Sequence, residues 1–168
     1  FFMLCFLSLI EEEISVENKV QKSLNNNQII YSNLVVKPTA MNTILWNIII
    51  ETDDAFLLSD YSFFDTKEIN YQRHLKNHQL IDSLENEPII KQLKRISENQ
   101  YIITNTNNKL QFNDLRFGLL SNEKDSVKYA FSYDLYQENE KWNAKEVTKE
   151  KRDGVKLLKN LWIRLQGN

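Results

Sequence analysis

The hydrophobic period switches from helical to extended at Asn25-Asn26-Asn27, and that first switch restricts the fold more than any other feature. Val16, Val20 and Leu24 recur every four residues with Glu17, Lys19 and Lys22 between them, which is the stripe of an amphipathic helix. Asn25-Asn26-Asn27 breaks that pattern, and from Ile29 onward the apolar residues fall into short extended runs. Ile29-Ile30-Tyr31 and Leu34-Val35-Val36 read as extended segments closed by Pro38, which cannot donate to a ladder. Thr43 to Thr52 is dense in Ile, Leu and Trp around Trp46, as expected of a central strand buried on both faces. Thr52-Asp53-Asp54-Ala55 is a polar break followed by the run Phe56 to Phe64, so the two runs predict a hairpin.

Beyond the hairpin the pattern alternates between the two periods. Residues 69–86 are polar and give no clear element. Pro88 stands where a helix begins, with Ile89, Ile90, Leu93 and Ile96 at helical spacing. Tyr101 to Thr104 returns to extended structure, and Asn105 to Asn108 is a turn. In Leu110 to Gly118 the residues Leu110 and Phe112 share one parity and Leu115 and Phe117 the other, so a bulge at Asn113-Asp114 is expected to repair the register. Val127, Tyr129, Phe131, Tyr133 and Leu135 alternate with polar residues as a strand with one wet face. Thr148 is placed to cap a last helix with Val155, Leu158, Trp162 and Leu165 as its apolar stripe and Gly167 beyond its end. The expected fold is α+β: an antiparallel sheet of about five strands with helices packed on one face, preceded by the end of a transmembrane or amphipathic helix. Residues 1–27 would be that leading segment and 28–168 a single soluble domain.

The apolar run from Phe1 to Ile10 meets Glu11-Glu12-Glu13, and at about half of the roughly 20 residues a spanning helix needs it reads as the last turns of a span that begins upstream. A cut signal peptide or a buried core helix are the alternatives; no basic n-region or small-residue cleavage site is visible. The absence of Met at position 1 points to a fragment. Acidic residues directly after the span lean toward the non-cytoplasmic side, although such residues count for little in membrane topology.

Composition excludes several classes of function. A formal charge of -2 and the lack of any long Lys or Arg run leave no basic field for nucleic acid. With 3 Gly there is no glycine-rich phosphate cradle. The single cysteine, Cys5, rules out an intrachain disulfide framework and a Cys-based zinc cluster.

The residues left for chemistry are few. His74 and His78 are the only histidines, and on a helix their spacing would put both imidazoles on one face. The zincin motif has a Glu directly after its first His, where Leu75 stands here, and the flanking Arg73 and Lys76 repel a cation, so a solvated segment is the expectation. Asp53 and Asp54 are adjacent and would point apart on a strand, which makes them turn formers. Asp114 and Arg116 lie two apart on one strand face, where they either pair with each other or meet an anionic group; a structural pair is the simpler reading. Trp46, Trp142 and Trp162 have no basic groove beside them and read as packing residues.

Pro38-Thr39-Ala40-Met41-Asn42-Thr43-Ile44-Leu45-Trp46 resembles the P-T-P-L-N-x-x-L-W stretch in the C-terminal part of YdjM-like, membrane-bound metal-dependent hydrolases of Bacteroidetes type. The hairpin from Glu51-Thr52-Asp53 to Tyr61-Ser62-Phe63-Phe64-Asp65, the segment Phe112-Asn113-Asp114-Leu115-Arg116-Phe117-Gly118, and Asn18-Lys19 fit the same pattern in order, from about Leu9 to Gly167. Ala40-Met41 departs from the usual Pro-Leu. The resemblance implies an accessory soluble domain that follows the last span of such a hydrolase, whose His, Asp and Glu metal ligands lie in an N-terminal membrane portion absent from this chain. It further implies a divalent metal for the full-length protein and none in this segment, the membrane portion of its own chain as partner, and the bacterial inner membrane as location. Catalytic residues are then not expected here; Asn42, Trp46, Tyr61, Asp114 and Arg116 are the binding candidates. The alternative is a non-enzymatic binding module with an apolar pocket between sheet and helix, lined by residues such as Trp46, Tyr61 and Phe131.

Overall fold

The computed structural model describes residues 2–39, 43–121, 128–148 and 154–167. Its chain gathers into two compact units, residues 1–73 with 151–168 and residues 74–150. The α+β expectation holds, but the single sheet of about five strands does not: there are two antiparallel sheets of four strands each.

The first unit is built on the hairpin read from the sequence. Helix α1 (Phe2–Asn26) precedes strands β1 (Asn33–Pro38), β2 (Leu45–Glu51) and β3 (Ala55–Ser62), and β4 (Gln72–Leu75) completes the sheet in the order β1-β2-β3-β4. Strand β2 is central and buried on both faces. Its Trp46, Ile48 and Ile50 join Val36, Leu57 and Tyr61 in a cluster that α1 covers with Val16, Val20 and Leu24. The predicted helical stripe is therefore a core-forming face, each member at most 1% exposed. No helix among the described residues is long and apolar enough to cross a membrane.

The β2–β3 turn is closed mainly by Thr52: its backbone N–H donates to the Ala55 carbonyl at 2.9 Å and its hydroxyl accepts from the Ala55 N–H at 3.2 Å. Asp54 stands in that turn and is paired with Arg73. Pro38 ends edge strand β1 opposite Trp46, a position where its missing donor costs little.

Helix α3 (Gly154–Leu165) belongs to the same unit. Arg164 reaches Asp60 at 2.5 Å and Asp65 at 2.7 Å, and the Ser62 hydroxyl donates to the Leu165 carbonyl at 2.8 Å. Asp60 and Ser62 alternate with Tyr61, which faces α1, so α1 and the end of α3 attach to opposite faces of the sheet. The expectation of helices on one face fails here. Gly167 follows at φ 90°, where a Cβ would stand 2.2 Å from the Phe64 carbonyl oxygen, so only glycine fits. The described helix runs from Gly154, and residues 149–153, between it and the expected Thr148 cap, lie outside the described ones.

The second unit, which begins at His74 within β4, has a 3-10 segment, His78–Leu84, in the stretch the sequence left unassigned. Helix α2 (Pro88–Ile96) follows with Pro at its first position and Ile90 and Leu93 buried. The second sheet is a meander of β5 (Tyr101–Thr106), β6 (Lys109–Ser121), β7 (Lys128–Glu138) and β8 (Lys141–Glu146). Its two complete hairpin turns, Asn107-Asn108 and Asn139-Glu140, hold both residues at positive φ, the geometry whose twist suits a two-residue hairpin. Ile81, Leu84, Ile90, Leu93, Tyr101, Ile103, Phe112 and Leu135 form its core. Val127, placed in β7 from the sequence, lies outside the described residues.

Candidate functional site

The polar centre of the second unit lies where β6 breaks its ladder with β7. Asp114 faces Phe131 and Leu119 faces Tyr129, so residues 115–118 stand opposite Ala130 alone. Three extra residues in one strand force a local bend, and Gly118 takes φ 68° within it. The irregularity begins after Asp114, one step beyond the expected position at Asn113-Asp114. The repair of register is not seen: the ladder with β5 runs unbroken from Lys109 to Asp114 and on to the Leu115 N–H, so Phe112 and Leu115, both fully buried, lie on opposite faces of β6, while Phe117 is turned out, 55% exposed.

Asp114 is 2% exposed and closes on Arg116. Its Oδ2 accepts from Nη2 at 2.9 Å, and its Oδ1 accepts from the Arg116 backbone N–H at 3.0 Å and from Nε at 3.2 Å. A buried carboxylate is tolerated when its lone pairs are filled in this way. Hydrogen bonding to Asp114 outweighs desolvation and holds the Arg116 guanidinium protonated more firmly than usual. The outer edge of that guanidinium meets Glu98 at 3.3 Å and lies over the Phe117 ring, which contacts Phe131 edge to face. The Leu115 N–H donates to the Gln100 carbonyl at 2.9 Å, while Gln100 Oε1, also buried, has no hydrogen-bond partner.

Beside the pair, Asn113 spans three strands. Its amide donates to Thr104 on β5 at 3.0 Å and its Oδ1 accepts from Ser132 on β7 at 2.6 Å. At 1% exposure it is the most deeply buried amide side chain described. Reading the segment for charge alone missed it; a polar residue between Phe112 and Leu115, where alternation alone would allow a wet face, was the available signal.

The histidines do not share a helix face. His74 lies on β4 and His78 is the first residue of the 3-10 segment. Nor is either simply solvated. The His78 ring stacks on Tyr101, centroids 4.1 Å apart, and Tyr101 stacks on Phe112 at 4.4 Å. His78 Nε2 lies 2.9 Å from the Tyr101 carbonyl, an atom that only accepts, so that nitrogen carries the proton and is not free to ligate a metal. His74 Nδ1 lies 3.2 Å from the Tyr129 hydroxyl, and its Nε2 is buried without a partner. Burial lowers the His74 pKa from 6.5 and pushes the Tyr129 phenol up to about 12. Both side chains are thus neutral near pH 7. Among the described residues no group of three His, Cys, Asp or Glu side chains is arranged to hold a metal ion.

Trp46 and Tyr61 are direct cross-strand partners in the first unit, 1% and 4% exposed. The Trp46 indole donates to the Thr43 carbonyl at 2.8 Å, and both rings meet Phe63 edge to face. Lys19 from α1 donates to the Tyr61 hydroxyl at 2.8 Å and lies 4.3 Å from the ring centroid. Trp46 and Tyr61 therefore act first as packing residues tying helix to sheet. Asn42 lies outside the described residues. Phe131, named with Trp46 and Tyr61 for a pocket, belongs to the second unit.

No family model, no curated protein and no solved structure matches this chain. The geometry therefore stands by itself. It shows a buried ion pair and a buried amide network around a bulge, with His74 and His78 held beside aromatic neighbours.

Proposed function

We propose that the chain is an accessory domain of a larger membrane-bound metal-dependent hydrolase, whose divalent metal and catalytic ligands lie in a membrane portion of the same protein. The reading rests on the resemblance in order and spacing from about Leu9 to Gly167, which includes the Asp114-Leu115-Arg116 segment. The observation that best supports a scaffolding role is the self-closure of that segment: Asp114 spends both oxygens on Arg116. A carboxylate so occupied and buried is a poor general base and a poor metal ligand, but a good clamp for a strained bend.

In this reading α1 leads from a bilayer span into the first unit, and the domain supports the metal site without contributing to it. The coding sequence upstream of Phe1 is expected to specify several apolar spans carrying His and acidic residues. The full-length protein is expected to hydrolyse its substrate with a divalent metal, and Asp114→Asn should lower the stability of the domain while leaving the bound metal in place. Hydrolysis by the 168-residue chain alone, abolished by changing one of its own polar residues, would overturn the proposal.

A further inference from the structure

Helix α3 is expected from its spacing to bury Leu158 and Trp162 in its apolar stripe, yet the structure leaves them 68% and 64% exposed, with Ile163 at 56%. The side that packs is another one: Leu161, Arg164 and Leu165 are partly buried, and Arg164 and the Leu165 carbonyl fasten the helix to β3 and to Asp65. Three large apolar side chains thus stand outward within two turns of one helix, a concentration that isolated surface leucines do not explain.

The charges among them decide what covers this face. The helix sequence contains Lys156, Lys159 and Arg164 and no carboxylate. Arg164 is occupied by Asp60 and Asp65, whereas Lys159 is exposed, one turn before both Trp162 and Ile163. Lysine is depleted from the centre of protein interfaces, where its charge must be desolvated. A second copy of the chain packed face to face would bring two such lysines together. At a bilayer surface the same arrangement is favourable: tryptophan sits at the headgroup level, leucine and isoleucine enter the acyl boundary, and lysine extends its stem and keeps its ammonium among anionic headgroups.

We propose that the exposed face of α3 is a membrane-surface site that takes bilayers containing anionic phospholipid. The inference does not rest on the hydrolase reading, since such a helix would bind lipid whatever reaction the larger protein performs. It is tested by cosedimentation of the full 168-residue chain with vesicles of phosphatidylcholine alone or mixed with phosphatidylglycerol. The chain is expected to partition onto the mixed vesicles more strongly than onto the neutral ones, and added salt should narrow the difference.

Replacing Leu158 and Trp162 together by Ser should lower partitioning by about tenfold or more, since these side chains supply the buried apolar area. Lys159→Glu should weaken binding to the mixed vesicles and leave binding to the neutral ones nearly unchanged. All three positions are exposed, so circular dichroism of both variants should match that of the parent chain. Equal partitioning of the Leu158/Trp162 variant would overturn the proposal, because the apolar N-terminal run would then carry the binding. No partitioning at all, or self-association abolished by the same substitutions without lipid binding, would overturn it as well.

Discussion

Asp114 illustrates how a single buried charge limits what its neighbours can do. Its side chain is 3% exposed and that of Arg116 21%, so the pair is desolvated on one side and open to water and Glu98 on the other. Asp114→Ala leaves the guanidinium half-buried without its main acceptor, and urea denaturation should show a loss of about 3 kcal/mol. Asp114→Asn retains an acceptor for the Arg116 backbone N–H and should cost less. An Asp114→Ala loss no larger than that of a surface substitution would show that the pair does not hold the bend.

His74 makes a different prediction. Its pKa in the folded state lies below 6.5 because burial disfavours the charged ring, whereas the unfolded chain titrates near 6.5. Above that pH both states are neutral at this residue and it adds no pH dependence. As the pH falls below about 6.5 the unfolded state takes up the proton first, so stability is lost. His74→Gln should flatten that limb of the urea-midpoint profile between neutral and mildly acidic pH, while the limb due to carboxylates at lower pH remains. An unchanged profile would mean that the imidazole is solvated and titrates normally.

At the scale of elements, α1 offers the clearest test of packing. Leu24 is fully buried in its last turns, in the cluster with Trp46 and Ile50. Leu24→Ala should therefore cost about 3 kcal/mol of stability in urea. A tail that merely carried the domain would tolerate the change. The elements also show which parts of the fold the sequence discloses. Strongly periodic segments were legible: the 16-20-24 stripe, the apolar β2 around Trp46, and α2 after Pro88. Strand β8 was not, because its turn uses Asn139-Glu140 where the usual signal has glycine, and a Glu at φ 62° is not a residue that announces a hairpin. Division into two sheets was equally hidden. Pairing partners are tertiary choices, and a strand pattern states which face is apolar without stating which neighbour it meets.

The same limit applies to the candidate site. Asp114 and Arg116 were legible as a pair because alternation puts residues two apart on one face. That Asn113 would be buried, and that His74 and His78 would lie on different elements, depended on the long-range placement of β4, β5 and β7. For α3 the spacing correctly showed an apolar stripe, but burial was assumed from it; an apolar stripe implies a covering surface, and that surface need not be protein.

At the scale of the molecule, the candidate groups Asp114, His74 and His78 are each tied into the structure among the described residues. Asp114 is bound to Arg116, His78 is stacked and donates to a carbonyl, and His74 is neutral beside Tyr129. In the proposed reading catalysis lies in another part of the protein, and metal stoichiometry tests that without knowledge of the substrate. The purified 168-residue chain should be equilibrated with zinc or manganese, freed of unbound metal and measured by mass spectrometry for metal per chain. Substoichiometric metal, unchanged by His74→Gln or by His78→Gln, is the expected result; one metal ion per chain, lost on either substitution, would contradict the account.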